Sequence, residues 1–255
     1  GCYGASVCRT PHIDALARDG VRFSRAYTPC ALCTPARASM LTGLYPHKHG
    51  AIHNTGTHLP FTPEMIGQGL HVYPNALRQA GYQLGYAGKW HSGIISSAAD
   101  AGFVGYGPTG YGNCWQDEEF DEYLRSRAIA RAERVIEFYA EGQPQYAYGD
   151  ASGYIDGPVE ATPSSFLAAK TIDLIDEFSE RDQPFFLMTS FWGPHAPYMP
   201  AGEFSDMYDP EDILPWESFD DDLRGKPYVH GVYRKYVFPG AAQATWDVWA
   251  KVVAR

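Results

Sequence analysis

Residues 162–190 read "TPSSFLAAKTIDLIDEFSERDQPFFLMTS", and no other stretch restricts the fold as strongly. Thr162 followed by Pro163 is a cap followed by a residue suited to the first helical position, so a helix begins there. The run "QPFFLMTSF" that follows is apolar without interruption, the pattern of a strand covered on both faces. A helix feeding such a strand belongs to a layered α/β architecture.

The same grammar recurs earlier. "RTPHIDALARDG" is a compact helix: Thr10 can cap, Pro11 opens it, Ile13, Leu16 and Ala17 share a face, and Gly20 can close it. "VRFSRAYT" alternates like a strand. A helix starting at Pro35 with Thr34 as its cap places Cys33 just ahead of the N-terminus and Arg37 in the first turn. "YPNALRQAG" reads as a short helix feeding a strand in "YQLGYAGKWH", whose end carries Lys89 and His91. Residues 117–141 carry apolar positions at helical intervals among many charges and are expected to form a surface helix or a pair. Residues 142–158 read as a loop, and 200–228 as an aromatic and proline-rich loop. The expected fold is therefore α/β, with a mainly parallel central sheet and helices on both faces.

At 255 residues the chain can bury a core without disulfide staples, and its five cysteines, an odd number, would leave one thiol over even in a fully paired framework. The formal net charge is -10 with no basic run, which argues against nucleic acid or an anionic membrane surface as partner. No stretch is long and apolar enough for a membrane span, and the start lacks the pattern of a signal peptide. The chain opens without methionine and closes on the helical pattern "WDVWAKVVAR" with no stop signal, so both ends read as cuts.

The chemistry concentrates in "CTPARASMLTG", residues 33–43. A cysteine at a helix N-terminus meets unpaired N–H groups and the positive end of the helix dipole, which favour its thiolate or an anion beside it. A small buried thiol is the plainer alternative. Cys30 and Cys33 also form C-x-x-C, open to a dithiol or half of a zinc site, but no second C-x-x-C completes the metal set. On their own, Lys89 and His91 fit a surface lysine and a strand-end histidine, and His195 in "GPHAPY" a loop histidine. His47 and His49 sit at i, i+2 and are candidates for a substrate pocket. His12, His53, His58, His71 and His230 are read as structural or surface residues. Trp192, Tyr198 and the aromatics up to Trp216 hint at stacking on a sugar ring.

"CTPAR" followed by "ASMLTGLYPHKHG" resembles the sulfatase signature C-x-P-x-R. "GCYG", "RTPHIDALARDGVRFSRAY", "GYQLGYAGKWHSG" and "PFFLMTSFWGPHAPY" resemble further sulfatase segments in the same order, across nearly the whole chain. The resemblance implies an alkaline phosphatase-like fold, incomplete at both ends, with residues 1–255 a partial catalytic domain. It implies oxidation of Cys33 to formylglycine by a maturation enzyme. In the hydrated aldehyde, one hydroxyl attacks sulfur and expels the alcohol; the other then loses its proton and sulfate departs. Arg37 would hold that nucleophile, Lys89 would contact the sulfate and the modified residue, His91 would hydrogen-bond the formylglycine hydroxyl, and His195 would help protonate the leaving oxygen. The expected substrate is a sulfate ester of a carbohydrate or related alcohol, and related enzymes are mostly exported, to the periplasm or beyond. Phosphonate and phosphate ester hydrolases share the signature and form the alternative. The family's divalent cation, usually calcium, would rest on formylglycine 33 and on Asp and Asn oxygens absent from this chain, on a strand before "GCYG" and in a half after "WDVWAKVVAR".

Overall fold

The computed structural model describes residues 1–54, 70–92, 96–138, 152–232, 234–235 and 245–255. In chain order the elements are α1 (Pro11–Asp19), α2 (Cys33–Thr42), α3 (Pro46–His49), α4 (Tyr73–Gln79), β1 (Gln83–Gly88), β2 (Val104–Tyr106), α5 (Glu118–Ser126), β3 (Glu133–Phe138), β4 (Ser152–Asp156), α6 (Pro163–Ser179), β5 (Phe185–Ser190), α7 (Gly202–Ser205), α8 (Tyr228–Val232) and α9 (Trp246–Ala254). They fall into two compact units: residues 26–128 with 163–192, and residues 1–25 with 129–162 and 193–255.

The first of these units holds a parallel sheet in the order β2-β1-β5. β1 pairs with β5 from Gln83 opposite Phe185 to Gly88 opposite Ser190, so the two strands end together. Period-two alternation sends Leu84 and Tyr86 to one face, where Leu41 of α2, Val72, Trp90 and Phe103 complete a buried cluster with Tyr73 and Leu77 of α4 packed against it. Gly85 and Ala87 turn to the other face. A Cβ on Gly85 would meet the Phe178 ring and Leu187, so glycine here lets α6 lie close on the sheet. Phe166, Leu167, Leu174 and Phe178 of α6 are buried, and Phe166 takes edge contacts from Tyr106, Phe120 and Tyr123 at ring distances of 5.0, 5.4 and 5.4 Å. Each such side chain contributes about 1.5–3 kcal/mol by leaving water. Helices thus cover both faces of the parallel sheet, as the helix–strand alternation implies.

In the other unit β3 and β4 form an antiparallel pair, and residues 198–201 run beside β4, with Gly153 and Ile155 donating their N–H groups to the Tyr198 and Pro200 carbonyls. Arg255, past the end of α9, pairs with the Glu137 carboxylate through Nε at 2.9 Å and with Asp206 at 2.8 Å.

Four expectations need correction. The helix of 117–141 ends at Ser126; Ala128 takes a left-handed φ of 54°, and "ERVIEF" pairs as β3 because Val135 and Ile136 are β-branched. Residues 21–28 carry no strand, and Val21, Phe23 and Tyr27 are exposed, so alternation alone did not make one. The strand at 185–190 is only partly covered, with Phe185 exposed. Within the expected loop of 142–158, residues 142–151 lie outside the described residues, and 152–156 form β4. No described helix is long and apolar enough to cross a membrane.

Candidate active site

Helix α2 begins two residues earlier than its sequence suggests: Cys33 is its first residue, with Leu32 in the capping position. Leucine has no oxygen to offer the free N–H groups of the first turn. A distant side chain does this instead, as Asn54 Oδ1 accepts the Thr34 N–H at 3.0 Å. Thr34 is fully buried, and its hydroxyl donates to the His91 carbonyl at 2.9 Å, tying the start of α2 to the segment that follows β1.

That segment, "GKWH", is set by Gly88. Its φ of 121° lies outside the ordinary range of side-chain-bearing residues, and a Cβ there would overlap the Ser190 carbonyl. The close approach lets the Lys89 N–H donate to that same carbonyl at 2.9 Å, extending the β1–β5 pairing by one step. Lys89 is 3% exposed, and its ammonium points back at the helix start, with Nζ 3.6 Å from Cys33 Sγ and 4.1 Å from the centre of the Tyr111 ring. Burial, the largest cause, pulls the Lys89 pKa below its ordinary value; Cys33 beside it pushes the other way, and Arg37 adds to the lowering. His91 is buried two residues on, edge-to-face with the same Tyr111 ring at 5.4 Å, and its N–H donates to the Gly110 carbonyl at 2.9 Å.

Arg37 lies one turn into α2. The resemblance assigns it the nucleophile to hold; the hydrogen bonds of its Nη1 run to the strand ends. One nitrogen donates to the Lys89 carbonyl at 2.7 Å, to Ser190 Oγ at 2.8 Å and to Tyr86 Oη at 3.4 Å. Tyr86 Oη in turn donates to the Lys89 carbonyl at 2.7 Å. Burial raises the Tyr86 pKa, with Ser190 and Arg37 opposing, so the phenol stays protonated.

The structure therefore brings Cys33, Arg37, Lys89 and His91 together at the carboxyl ends of β1 and β5, where parallel sheets open their crevices. A cleft of about 980 Å³ lies alongside, lined by Cys30, Cys33, Arg37, Met40, Met188 and Ser190 among others. His195 belongs to the other unit, where its Nδ1 lies 2.7 Å from the Ala196 carbonyl.

His49 is no pocket residue. It is buried, its Nδ1 accepts the Ala51 N–H at 3.1 Å, and its Nε2 therefore carries the hydrogen toward Ser39 Oγ at 2.9 Å. Burial first, and His47 second, lower its pKa, so it stays neutral and joins α3 to α2. His47 is exposed and stacks on Tyr45 at 6.0 Å. His12, His53, His71 and His230 are exposed or half-buried, in line with surface roles, whereas His58 falls outside the described residues. Trp192 is turned inward, its ring 6.2 Å from Tyr106 and its Nε1 donating to the Tyr111 carbonyl at 3.4 Å.

Asn54, Tyr86, Tyr111 and Ser190 were not legible as site residues. Each acts through a contact made by residues 20 or more positions away, and only the glycines flanking Tyr111 in "TGYGN" mark a special turn. The calcium implied by the resemblance does not fit what is present. The charged groups beside Cys33 are the cations Lys89 and Arg37, and no cluster of three His, Cys, Asp or Glu among the described residues could hold a metal ion.

The chain is 27% identical over 236 residues to an uncharacterized sulfatase of Escherichia coli K12, covering 91% of this chain and 43% of that protein. It is 30% identical over 235 residues to an N-acetylglucosamine-6-O-sulfatase of Bacteroides thetaiotaomicron, covering 88% and 34%. Against the solved structure of BT4656 in complex with its substrate D-glucosamine-2-N,6-O-disulfate, the TM-score is 0.50 at 25% identity, covering 89% of this chain and 38% of that one. The structure of a 2-O GAG sulfatase shares the fold at a TM-score of 0.54 and 19% identity, covering 100% and 46%. The chain spans less than half the length of these relatives. The sulfatase family model matches residues 1–217, and the chain, with its alkaline phosphatase-like α/β fold, belongs to the sulfatase family.

Proposed function

We propose that the intact protein hydrolyses sulfate esters of sugars, with residue 33 as the nucleophile after conversion to formylglycine. The observation that carries this reading is the Lys89 ammonium 3.6 Å from Cys33 Sγ at the start of α2, a buried cation aimed at the atom that would be replaced. The modified residue would supply an aldehyde hydrate that attacks sulfur with one hydroxyl and sheds sulfate by deprotonating the other. Lys89 and the first turn of α2 place positive charge where the sulfate oxygens must sit. His91, whose ring meets the same Tyr111 ring as Lys89, is proposed to accept the proton, and His195 to protonate the leaving alcohol. Arg37 acts by fixing the helix to both strand ends. The divalent cation of the family, calcium in this proposal, needs oxygen ligands other than those described here.

The sugar as substrate is supported by the N-acetylglucosamine-6-O-sulfatase relative and by the disulfated glucosamine in the BT4656 structure. Co-expression of the intact protein with a formylglycine-generating enzyme is expected to remove the thiol at Cys33 and leave that at Cys30, read by peptide mass. The product is expected to release sulfate from 6-O-sulfated amino sugars, and Cys33→Ala to abolish release. An intact Cys33 thiol in a fully active protein, or faster turnover of the matching phosphate ester, overturns the reading.

A further inference from the structure

Tyr111 touches the side chains of both Lys89 and His91, and it sits where the chain takes special trouble to put it. It lies between Gly110 and Gly112, whose φ values of 63° and 52° are both left-handed. The turn is anchored on each side: the Gly110 carbonyl accepts the His91 N–H at 2.9 Å, and the Tyr111 carbonyl accepts Trp192 Nε1 at 3.4 Å. The ring so held presents its face to the Lys89 ammonium, 4.1 Å from the centroid, and meets the His91 imidazole edge-to-face at 82°.

A buried lysine has a flexible four-carbon stem, and its ammonium needs a polar or quadrupolar neighbour on each side once water is excluded. Both Cys33 Sγ, at 3.6 Å, and the π-face of Tyr111, at 4.1 Å, are such neighbours. From this geometry we infer that Tyr111 is a positioning residue: its ring clamps Lys89 toward residue 33 and fixes the plane of His91. The inference rests on the function proposed above for its effect on turnover, though not for the clamp itself.

The clamp and the turnover are measured separately, in the intact protein. The clamp is read as the rate at which Lys89 is acylated by a water-soluble N-hydroxysuccinimide ester, followed by peptide mass. Tyr111→Met, which fills a similar volume without a π-face, is expected to raise that rate several-fold, whereas Tyr111→Phe keeps it within about twofold, because the ring face remains. In sulfate-ester hydrolysis, Tyr111→Met is expected to lower kcat by about tenfold with a smaller change in KM, and Tyr111→Phe to retain most of the activity. Should Tyr111→Met fail to fold, Tyr111→Leu replaces it. An unchanged Lys89 acylation rate in the Met or Leu variant, or a Phe variant as impaired as Met, overturns the clamp. Faster acylation in a protein whose wild type releases no sulfate sustains the clamp and overturns the proposed function instead.

Discussion

Replacing Lys89 with methionine is expected to cut sulfate-ester hydrolysis about a hundred- to thousandfold, while the thermal midpoint stays the same or rises. The two halves have one cause. Lys89 is 3% exposed, and burial disfavours its charged form, so the fold tolerates this ammonium at an energetic disadvantage. Methionine keeps the apolar stem, needs no solvation and can lay its sulfur against the Tyr111 ring. What disappears is the positive charge facing residue 33. Steady-state kinetics alongside thermal unfolding decides the matter: a variant that loses stability in proportion to activity would make Lys89 a structural residue and remove the main support for the proposed site.

Arg37→Met is expected to behave differently, losing activity and also about 2–3 kcal/mol of stability. Arg37 donates to the Lys89 carbonyl, Ser190 Oγ and Tyr86 Oη, so its removal strips a charged donor from three groups at the junction of α2, β1 and β5. Lys89 O retains the Tyr86 hydroxyl at 2.7 Å, which limits the loss. The drop should appear as a lower urea midpoint with an unchanged slope. A variant as stable as the wild type would show that the guanidinium serves the substrate rather than the scaffold.

The parallel core of this protein is legible in its sequence where local and global signals coincide. Thr162–Pro163 opens α6 where the cap pattern says, and "FFLMTS" becomes β5. The reading fails where pairing decides. "ERVIEF" puts Val135 and Ile136 in helical register with the apolar positions before it, yet a partner in "SGYID" makes it a strand. Val21 and Phe23 alternate but are exposed and unstranded. At the site, Cys33, Arg37, Lys89 and His91 are legible because they belong to contiguous words. Asn54 and Tyr111 are not, because a cap supplied from 20 residues away and a ring beneath an ammonium exist only once the chain has closed.

The burial of Thr34 and Pro35 and the engagement of Arg37 bear on how this stretch can drift over time. Three of the five letters in "CTPAR" are held by packing and hydrogen bonds that do not involve the thiol of the first. A descendant that gave up catalysis by changing Cys33 would remain under pressure to keep Thr34, Pro35 and Arg37, since losing them loosens α2 from the sheet. Such pseudoenzymes should preserve a headless T-P-x-R, and a survey in which those three letters decay as fast as the cysteine would contradict the hydrogen bonding described for α2.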